Sequence, residues 1–509
     1  MKRVKVACTV VVAVGIAVAL SGCGPVPAGL YAGGYSVGQA AALSADGTTA
    51  LVAAPGVTKN RGVVYVFHGS SAGSWVSSST PAATLTCKGV GAAQTEGSVA
   101  LSADGTTAFV GAPGYRDGVG AVCVFHVPNE DAWASSSTPT ATLTVGHGKG
   151  FMGWAVAGSS DGTTLVAGAP LYLSGAGGAY VFHVSSEDGW VSSSTPAATL
   201  SNAGESRTDL FVGSAVAISG DGASALLSDS RSRSGEGRAY VFHVASEAAW
   251  TSSSAPTAIL SNASGAAHDA LGRSLAFSGD GTTAFLGAPG VKGGRGAVDV
   301  FRAAGEGAWA SSSTPAATLT NASGSRHDLL GHGVAVSADG TTAVVTAPGV
   351  KRKAGASYVF HVTDEGAWTS SAAPNATLTD STGGRNGRLG VGLASSADGA
   401  TVLVGAPGID WNTGAADVFH VSDASSWLTS STPAATLTNS ALPHLDCVVP
   451  RLVGLRLAPA RVALKDANCR LGKVTEVRSR AKKGRIVSQS PAPGSHLAPR
   501  SKVNVKVGN

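Results

Sequence analysis

The chain has 509 residues, and only 13% are charged against the roughly 25% usual in soluble domains. Hydrophobic residues reach 43% while aromatics stay at 6%, so the apolar content is mostly alanine and valine; this excludes a charged helical bundle and argues against disorder. The net charge of +5 is unevenly placed: residues 1–23 carry three basic residues and no acid, residues 24–440 carry 19 against 28, and residues 441–509 carry 14 against 3.

At the N-terminus, Lys2, Arg3 and Lys5 precede an uncharged apolar run from Val6 to Leu20. That order and size suit a secretory signal and are short for a membrane span. The run ends in Leu20-Ser21-Gly22-Cys23, which resembles the lipobox of bacterial lipoproteins. The resemblance implies a signal peptide over 1–22 and a diacylated Cys23 as first mature residue. A lipidated tether, 23–34, would then hold the protein to the outer face of a bacterial membrane. Which membrane that is stays open. Export places Cys87, Cys123, Cys447 and Cys469 in an oxidising compartment, where an even count without a C-x-x-C motif favours disulfides over metal ligation.

The next four hundred residues repeat one unit seven times. Asp-Gly recurs at Asp46, Asp104, Asp161, Asp221, Asp280, Asp339 and Asp398. Tryptophan recurs at Trp75, Trp133, Trp190, Trp250, Trp309, Trp368 and Trp427, and both series step by 57 to 60 residues. Each unit reads as four strands. In the sixth, 333–337 is strand a, Asp339-Gly340 a tight hairpin, 341–348 strand b, 356–362 strand c and 375–379 strand d. The expected fold is all-β: a seven-bladed β-propeller of four-stranded blades over 35–440, its small side chains suited to blades stacked on both faces. The seventh unit has its own strand d, TPAATLT (432–438), so closure needs no exchanged strand. It should pack on the first unit by side chains alone, and hydrogen bonds from near the N-terminus into the seventh unit would contradict this.

The units resemble the FG-GAP repeat of integrin alpha-subunit propellers and bacterial surface proteins. Gly-Ala-Pro stands at 111–113, 168–170, 287–289 and 405–407, with near matches at 53–55 and 346–348. Leu-Gly precedes strand a at 271–272, 330–331 and 389–390. The fourth unit departs, with Leu227-Ser228-Asp229 read in place of Gly-Ala-Pro. Several blades of that family bind calcium through Asp-x-Asp-x-Asp-Gly; here one carboxylate per hairpin remains, and no metal is expected because calcium takes six to eight oxygens. His68, His126, His183, His243, His361 and His420 share one strand-c position, where the fifth unit has Arg302. They read as structural hydrogen-bond partners, and the tryptophans as packing.

After a linker, 441–446, residues 447–509 resemble a PASTA domain, a small α+β module of penicillin-binding proteins and serine/threonine kinases. The matching features are Val449-Pro450, Gly454, a helix carrying Leu457, Ala460, Ala463 and Leu464, Gly472, Ser488-Gln489-Ser490-Pro491, Gly494 and a final strand of alternating valines. Cys447 and Cys469 bracket the helix and are the expected disulfide. Cys87 follows strand d of the first unit and Cys123 lies mid-strand in the second, so whether these two pair is left open. The resemblance implies association with peptidoglycan, and the basic surplus would attract anionic wall polymers or headgroups. Nothing resembles a nucleic-acid or cofactor signature.

No Ser-His-Asp arrangement, phosphate loop or unique carboxylate pair is found, so the expectation is a binding module and not an enzyme. The alternatives are a propeller hydrolase acting on envelope glycans and a purely structural envelope protein; a protein partner is a further option. Antiparallel strands put the a–b and c–d loops on one face, where 16 acids gather, and the b–c and d–a loops on the other. The second face is the candidate binding surface. It carries Lys59, Arg61, Tyr115, Arg116, Tyr172, Arg231, Arg233, Lys292, Arg295, Lys351, Arg352, Lys353 and Trp411.

Overall fold

The computed structural model describes residues 35–57, 62–87, 98–146, 148–172, 176–202, 211–442, 447–478, 483–498 and 500–509. The signal segment, Cys23 and the tether lie outside the described residues, as do Lys59 and Arg61.

Valine, alanine and aromatic residues alternating between Asp-Gly and Ser-rich turns should pair locally, each strand with the next, and they do. Among the described residues there are seven four-stranded antiparallel sheets, each made of four consecutive strands a to d. In the sixth sheet the strands are Val334–Val336, Thr342–Thr346, Ser357–His361 and Ala376–Leu378. Val334 sits opposite Val345, Val345 opposite Tyr358, and Tyr358 opposite Thr377. Strand b is buried along its whole length in every sheet, as Thr49–Ala54 illustrates. Both sheet faces are therefore covered, which explains why so much of the apolar content is small.

The packing alternates between neighbours. One apolar cluster joins Val52 and Tyr65 of the first sheet to Leu403, Val418 and Leu437 of the seventh. Another joins Val241 and Leu260 of the fourth to Leu286 and Phe301 of the fifth.

The turns are linked as well. Ala45 N–H donates to the Ala103 carbonyl, and the same bond runs on through Ser160, Gly220, Gly279, Ala338 and Ala397. From Ala397 it returns to Ala45, each step between 2.7 and 2.9 Å.

Among the described residues no strand is exchanged between sheets, but the expectation that the seventh meets the first by side chains alone is overturned. Ser36 and Val37 donate to the carbonyls of Asn412 and Thr413 at 2.8 and 2.9 Å, and Ser78 bridges Leu437. The reason is general to the joins. At six joins among the described residues, the extended residues before strand a lie along the previous b–c loop, as in Gly237 with Leu271 and Gly296 with Leu330. The outer strand d is met in turn by the next sheet's serine loop, as in Leu85 with Ser136. Backbone groups at both sheet edges thereby find partners. The approach is close: a Cβ on Gly405 would collide with the Gly38 carbonyl, so a side chain there would require that backbone to shift.

The strand register also corrects the reading of the fourth unit. Ser224 pairs with His243 as Thr283 pairs with Arg302. Ser228-Asp229-Ser230, not Leu227-Ser228-Asp229, therefore stands where the fifth unit has Gly287-Ala288-Pro289.

At the C-terminus, helix α1 (Leu457–Asp466) packs on a three-stranded sheet in which Lys502–Gly508 lies between Arg470–Val477 and Ile486–Ser490. Leu452, Ala460, Leu464, Ile486, Val503 and Val505 form the core. The Cys447–Cys469 disulfide joins the start of the domain to the helix end with its α-carbons 4.8 Å apart. A second disulfide, Cys87–Cys123, spans the join of sheets one and two at 6.0 Å between α-carbons.

Candidate functional site

The repeated polar residues are engaged in holding the sheets together. Each tryptophan indole donates to the glycine carbonyl of its own a–b turn, at 2.8–2.9 Å in all seven units. The six histidines meet a strand-b hydroxyl through Nδ1, as Thr107 with His126 at 2.8 Å and Ser224 with His243 at 3.0 Å. Their Nε2 reaches forward in two cases, to Asp131 from His68 and to Asp188 from His126.

The turn aspartates are likewise occupied. Asp104 accepts from the Ser102 hydroxyl at 2.6 Å and from the Thr106 amide and hydroxyl at 3.1 and 2.9 Å. Glu187 of the next sheet accepts from the same Thr106 hydroxyl at 2.9 Å, and Glu130 and Glu247 repeat the contact on Thr48 and Thr163. Gly105 is needed beneath such a glutamate: its φ is +72°, and a Cβ there would strike the Glu130 carboxylate.

Burial alone would raise the Asp104 pKa, but the hydrogen bonds from Ser102 and Thr106 outweigh it and hold the carboxyl below its ordinary 3.8. Asp46, Asp161, Asp280 and Asp339 are shifted the same way. A carboxyl depressed in the folded state gives stability that is complete above pH 3.8 and lost as pH falls through the lower folded value. Asp104→Asn is therefore expected to reduce stability at pH 6 and to weaken its acid dependence below pH 4, measured by denaturant unfolding across that range.

The opposite face is built differently. Its b–c loops contain single turns, Ser232–Gly235, Val291–Gly294 and Val350–Lys353, whose interior residues adopt left-handed backbone. Among the candidates, Arg116, Arg233, Lys292, Lys351, Arg352 and Lys353 all have φ between 46° and 67°. Such conformations cost non-glycine residues about 1–3 kcal/mol each and persist where the surroundings impose them. The turns hold these side chains up from the sheets; Arg116, Arg233, Lys292, Arg295, Lys351 and Arg352 are exposed, and Lys353 is half-buried. Tyr172 instead packs edge-on against Tyr180, with ring centres 5.4 Å apart, and Arg116 lies over the Tyr115 ring at 5.1 Å. Trp411 lies in the turn Ile409–Asn412, and its side chain is outside the described residues.

A second set of residues, not anticipated from sequence, lies at the axial end of this face. Gln39, Trp154, Arg273, His332 and Val391 each follow a glycine before strand a. Each donates its amide to an equivalent strand-b carbonyl: Ala53, Gly168, Gly287, Thr346 and Gly405 respectively. They thus hold one position in five of the seven sheets. Gln39 and Val391 of this position, with Ser98, Ser274, Gly333 and Leu393 just beyond it, line one cavity of about 220 Å³.

Arg273 is exposed and His332 half-buried. The Arg231 charge acts on Arg273. Burial, then the charges of Arg273 and Arg388, lower His332 to about 3, so its ring is neutral at pH 7. Its Nδ1 is buried without a hydrogen-bond partner. Arg231 stacks on Phe211 at 4.0 Å, and Phe211 meets Trp154 edge-on at 5.8 Å. The signal for this set was present as a column that changes from Gln to Gly, Trp, Ser, Arg, His and Val and follows a glycine in every unit but the second, which has Glu96 there. It becomes visible only when the seven units are superimposed.

In the C-terminal domain, Arg461, Lys465, Arg470 and Arg500 line a groove between α1 and the sheet, together with Leu464, Asn468 and Leu471. Gln489 fastens the opening loop by accepting from the Leu452 amide and donating to the Pro450 carbonyl.

Compared with known families, residues 448–509 match the PASTA domain. No curated protein matches the chain. The PASTA match suggests a cell-wall or peptidoglycan-associated role, and with two disulfides it suggests an extracytoplasmic protein. Among the described residues, no helix is long and apolar enough to cross a membrane.

Proposed function

We propose that the seven sheets are the blades of one closed propeller, and that this propeller is a non-enzymatic binding module of the cell envelope. Closure is supported by the turn-to-turn hydrogen bonds that return to Ala45 and by the shared apolar cluster of the first and seventh sheets. In the same reading the chain is exported by residues 1–22 and anchored through a lipid on Cys23. Its PASTA domain associates with peptidoglycan or an anionic wall polymer.

The observation that carries the binding role is the division of labour between the faces. On the a–b and c–d side the repeated Asp, Glu, Thr and His groups bond to one another and to adjacent sheets. On the b–c and d–a side the loops differ from unit to unit and raise Arg and Lys side chains into solvent. Strand a begins and strand d ends on that side, so the tether and the PASTA domain leave from it. Residues 24–34 reach at most about 40 Å when extended, which keeps the basic face near the anionic surface it would bind.

The test is retention of the full-length protein on purified wall material. Lys351→Glu with Arg352→Glu and Lys353→Glu should cut retention severalfold at low salt, with the difference shrinking as salt screens it. Unchanged retention at low salt, or equal loss on neutralising the turn aspartates, would contradict the assignment.

A further inference from the structure

Resting on that reading of the basic face, we infer that its axial mouth is a binding site for an anionic saccharide. Arg273 would hold a carboxylate or phosphate, and the Trp154–Phe211 pair would take the face of the sugar ring.

Three observations converge. Trp154, Arg273 and His332 share one position before strand a, and at that same position Gln39 and Val391 line the cavity, as do Ser274 and Gly333, the residues that follow Arg273 and His332. At about 220 Å³ the cavity is smaller than the roughly 300–1,000 Å³ that encloses a whole small ligand, so it suits one end group and not a folded partner. Arg273 stands among further cations: Arg273 and Arg388 act on His332, and Arg231 acts on Arg273. Like charges held together favour an anion between them. A planar guanidinium matches carboxylate and phosphate oxygens in a bidentate way.

The remaining groups add specificity. Phe211 is clamped by Arg231 on one side and meets Trp154 on the other, and both rings are only half-buried. Half-exposed aromatic faces beside a cation suit the apolar face of a sugar ring that carries an anionic substituent. The neutral His332 ring, with Nδ1 unpartnered, has a hydrogen bond left to make to a hydroxyl. One buried acid, Asp229, lies beside the aromatic pair. It accepts from the Phe211 amide at 3.1 Å and lies beside the Arg238 charge.

The test is calorimetric titration of the full-length protein with three soluble probes. These are a muramic-acid-containing tetrasaccharide, a glycerol phosphate oligomer and an uncharged N-acetylglucosamine tetramer. Binding of one or both anionic probes and none of the neutral one is expected, and the arm that binds identifies carboxylate or phosphate as the source. Arg273→Gln should weaken that binding about tenfold, the loss of one charge-assisted contact. Arg273→Lys should fall between, and Trp154→Ala should weaken it comparably; unchanged melting curves show that these variants fold. Equal binding of the neutral probe, no binding of either anionic probe, or wild-type affinity in Arg273→Gln would overturn the inference. Replacing Lys351, Arg352 and Lys353 with glutamine separates the two claims. If that variant alone loses wall retention, the basic face stands and the axial site falls; if no variant on this face does, the face itself falls.

Discussion

Asp380→Asn is expected to stabilise the protein at neutral pH and to flatten its loss of stability between about pH 4 and pH 7. Asp417 is fully buried in strand c of the seventh sheet. Its Oδ1 accepts from the Thr436 hydroxyl at 2.8 Å, while Oδ2 has no donor. Burial pushes its pKa up to about 7, and the Asp380 carboxylate adds to the rise. The fifth sheet supplies the natural control. Asp299 has the same register, accepts from Thr318 at 2.8 Å, and receives the Asn262 amide on Oδ2 at 2.7 Å. Asn262 and Asp380 each stand 37 residues before the strand-c aspartate they face, so asparagine at 380 should supply the missing donor.

The sign follows from proton uptake. The unfolded carboxyl titrates near 3.8 and the folded one near 7, so between them the native state holds more protons and stability falls as pH rises. A shift of that size corresponds to a cost of about 4 kcal/mol above pH 7 in order of magnitude, of which one good hydrogen bond recovers about 1–2 kcal/mol. Denaturant unfolding at pH 5 and pH 8 measures it; a variant with the wild-type pH slope would refute the pairing.

Arg238→Ala should cost about 1–3 kcal/mol, because the buried Asp229 carboxyl loses the positive charge that limits its rise. Asp229 and Arg238 sit directly opposite each other in the fourth sheet, at 0% and 2% exposure. Burial raises Asp229 to about 6, and the Phe211 amide and the Arg238 charge limit that rise. Without Arg238 the carboxyl remains buried with less to offset it, so the loss should grow as pH rises from 5 to 8. The equivalent pair in the fifth sheet is Ala288 with Ala297. Asp229→Ala combined with Arg238→Ala should therefore cost less than Arg238→Ala alone. A double variant as unstable as the sum of the singles would mean that the two residues act independently.

Both predictions come from departures within a repeat, and they show what the chain revealed of itself in advance. The period, the Asp-Gly turns, the tryptophans and the strand-c histidines were legible because each recurs at fixed spacing and does local work. The PASTA domain was legible for a similar reason, its prolines, glycines and valines marking loops and strand in order. Contacts between units were not. Asp380 faces Asp417, and Thr106 joins Asp104 to Glu187, only once one sheet is laid beside the next. The backbone pairing of Val37 with Gly414 was missed because hydrogen bonds between main chains leave no mark on side-chain choice. Arg273 and His332 were passed over because each, read alone, is one polar residue before a strand.

The claim that the repeats build the scaffold while the b–c and d–a face recognises is tested most directly by hydrogen exchange of the full-length protein with and without soluble wall polymer. The account predicts added protection in the b–c loops around Ser232–Gly235, Val291–Gly294 and Val350–Lys353 and in the segments leading into strand a. The Asp-Gly turns and c–d loops should exchange as before. Protection confined to those turns and c–d loops, with the basic face unchanged, would contradict it.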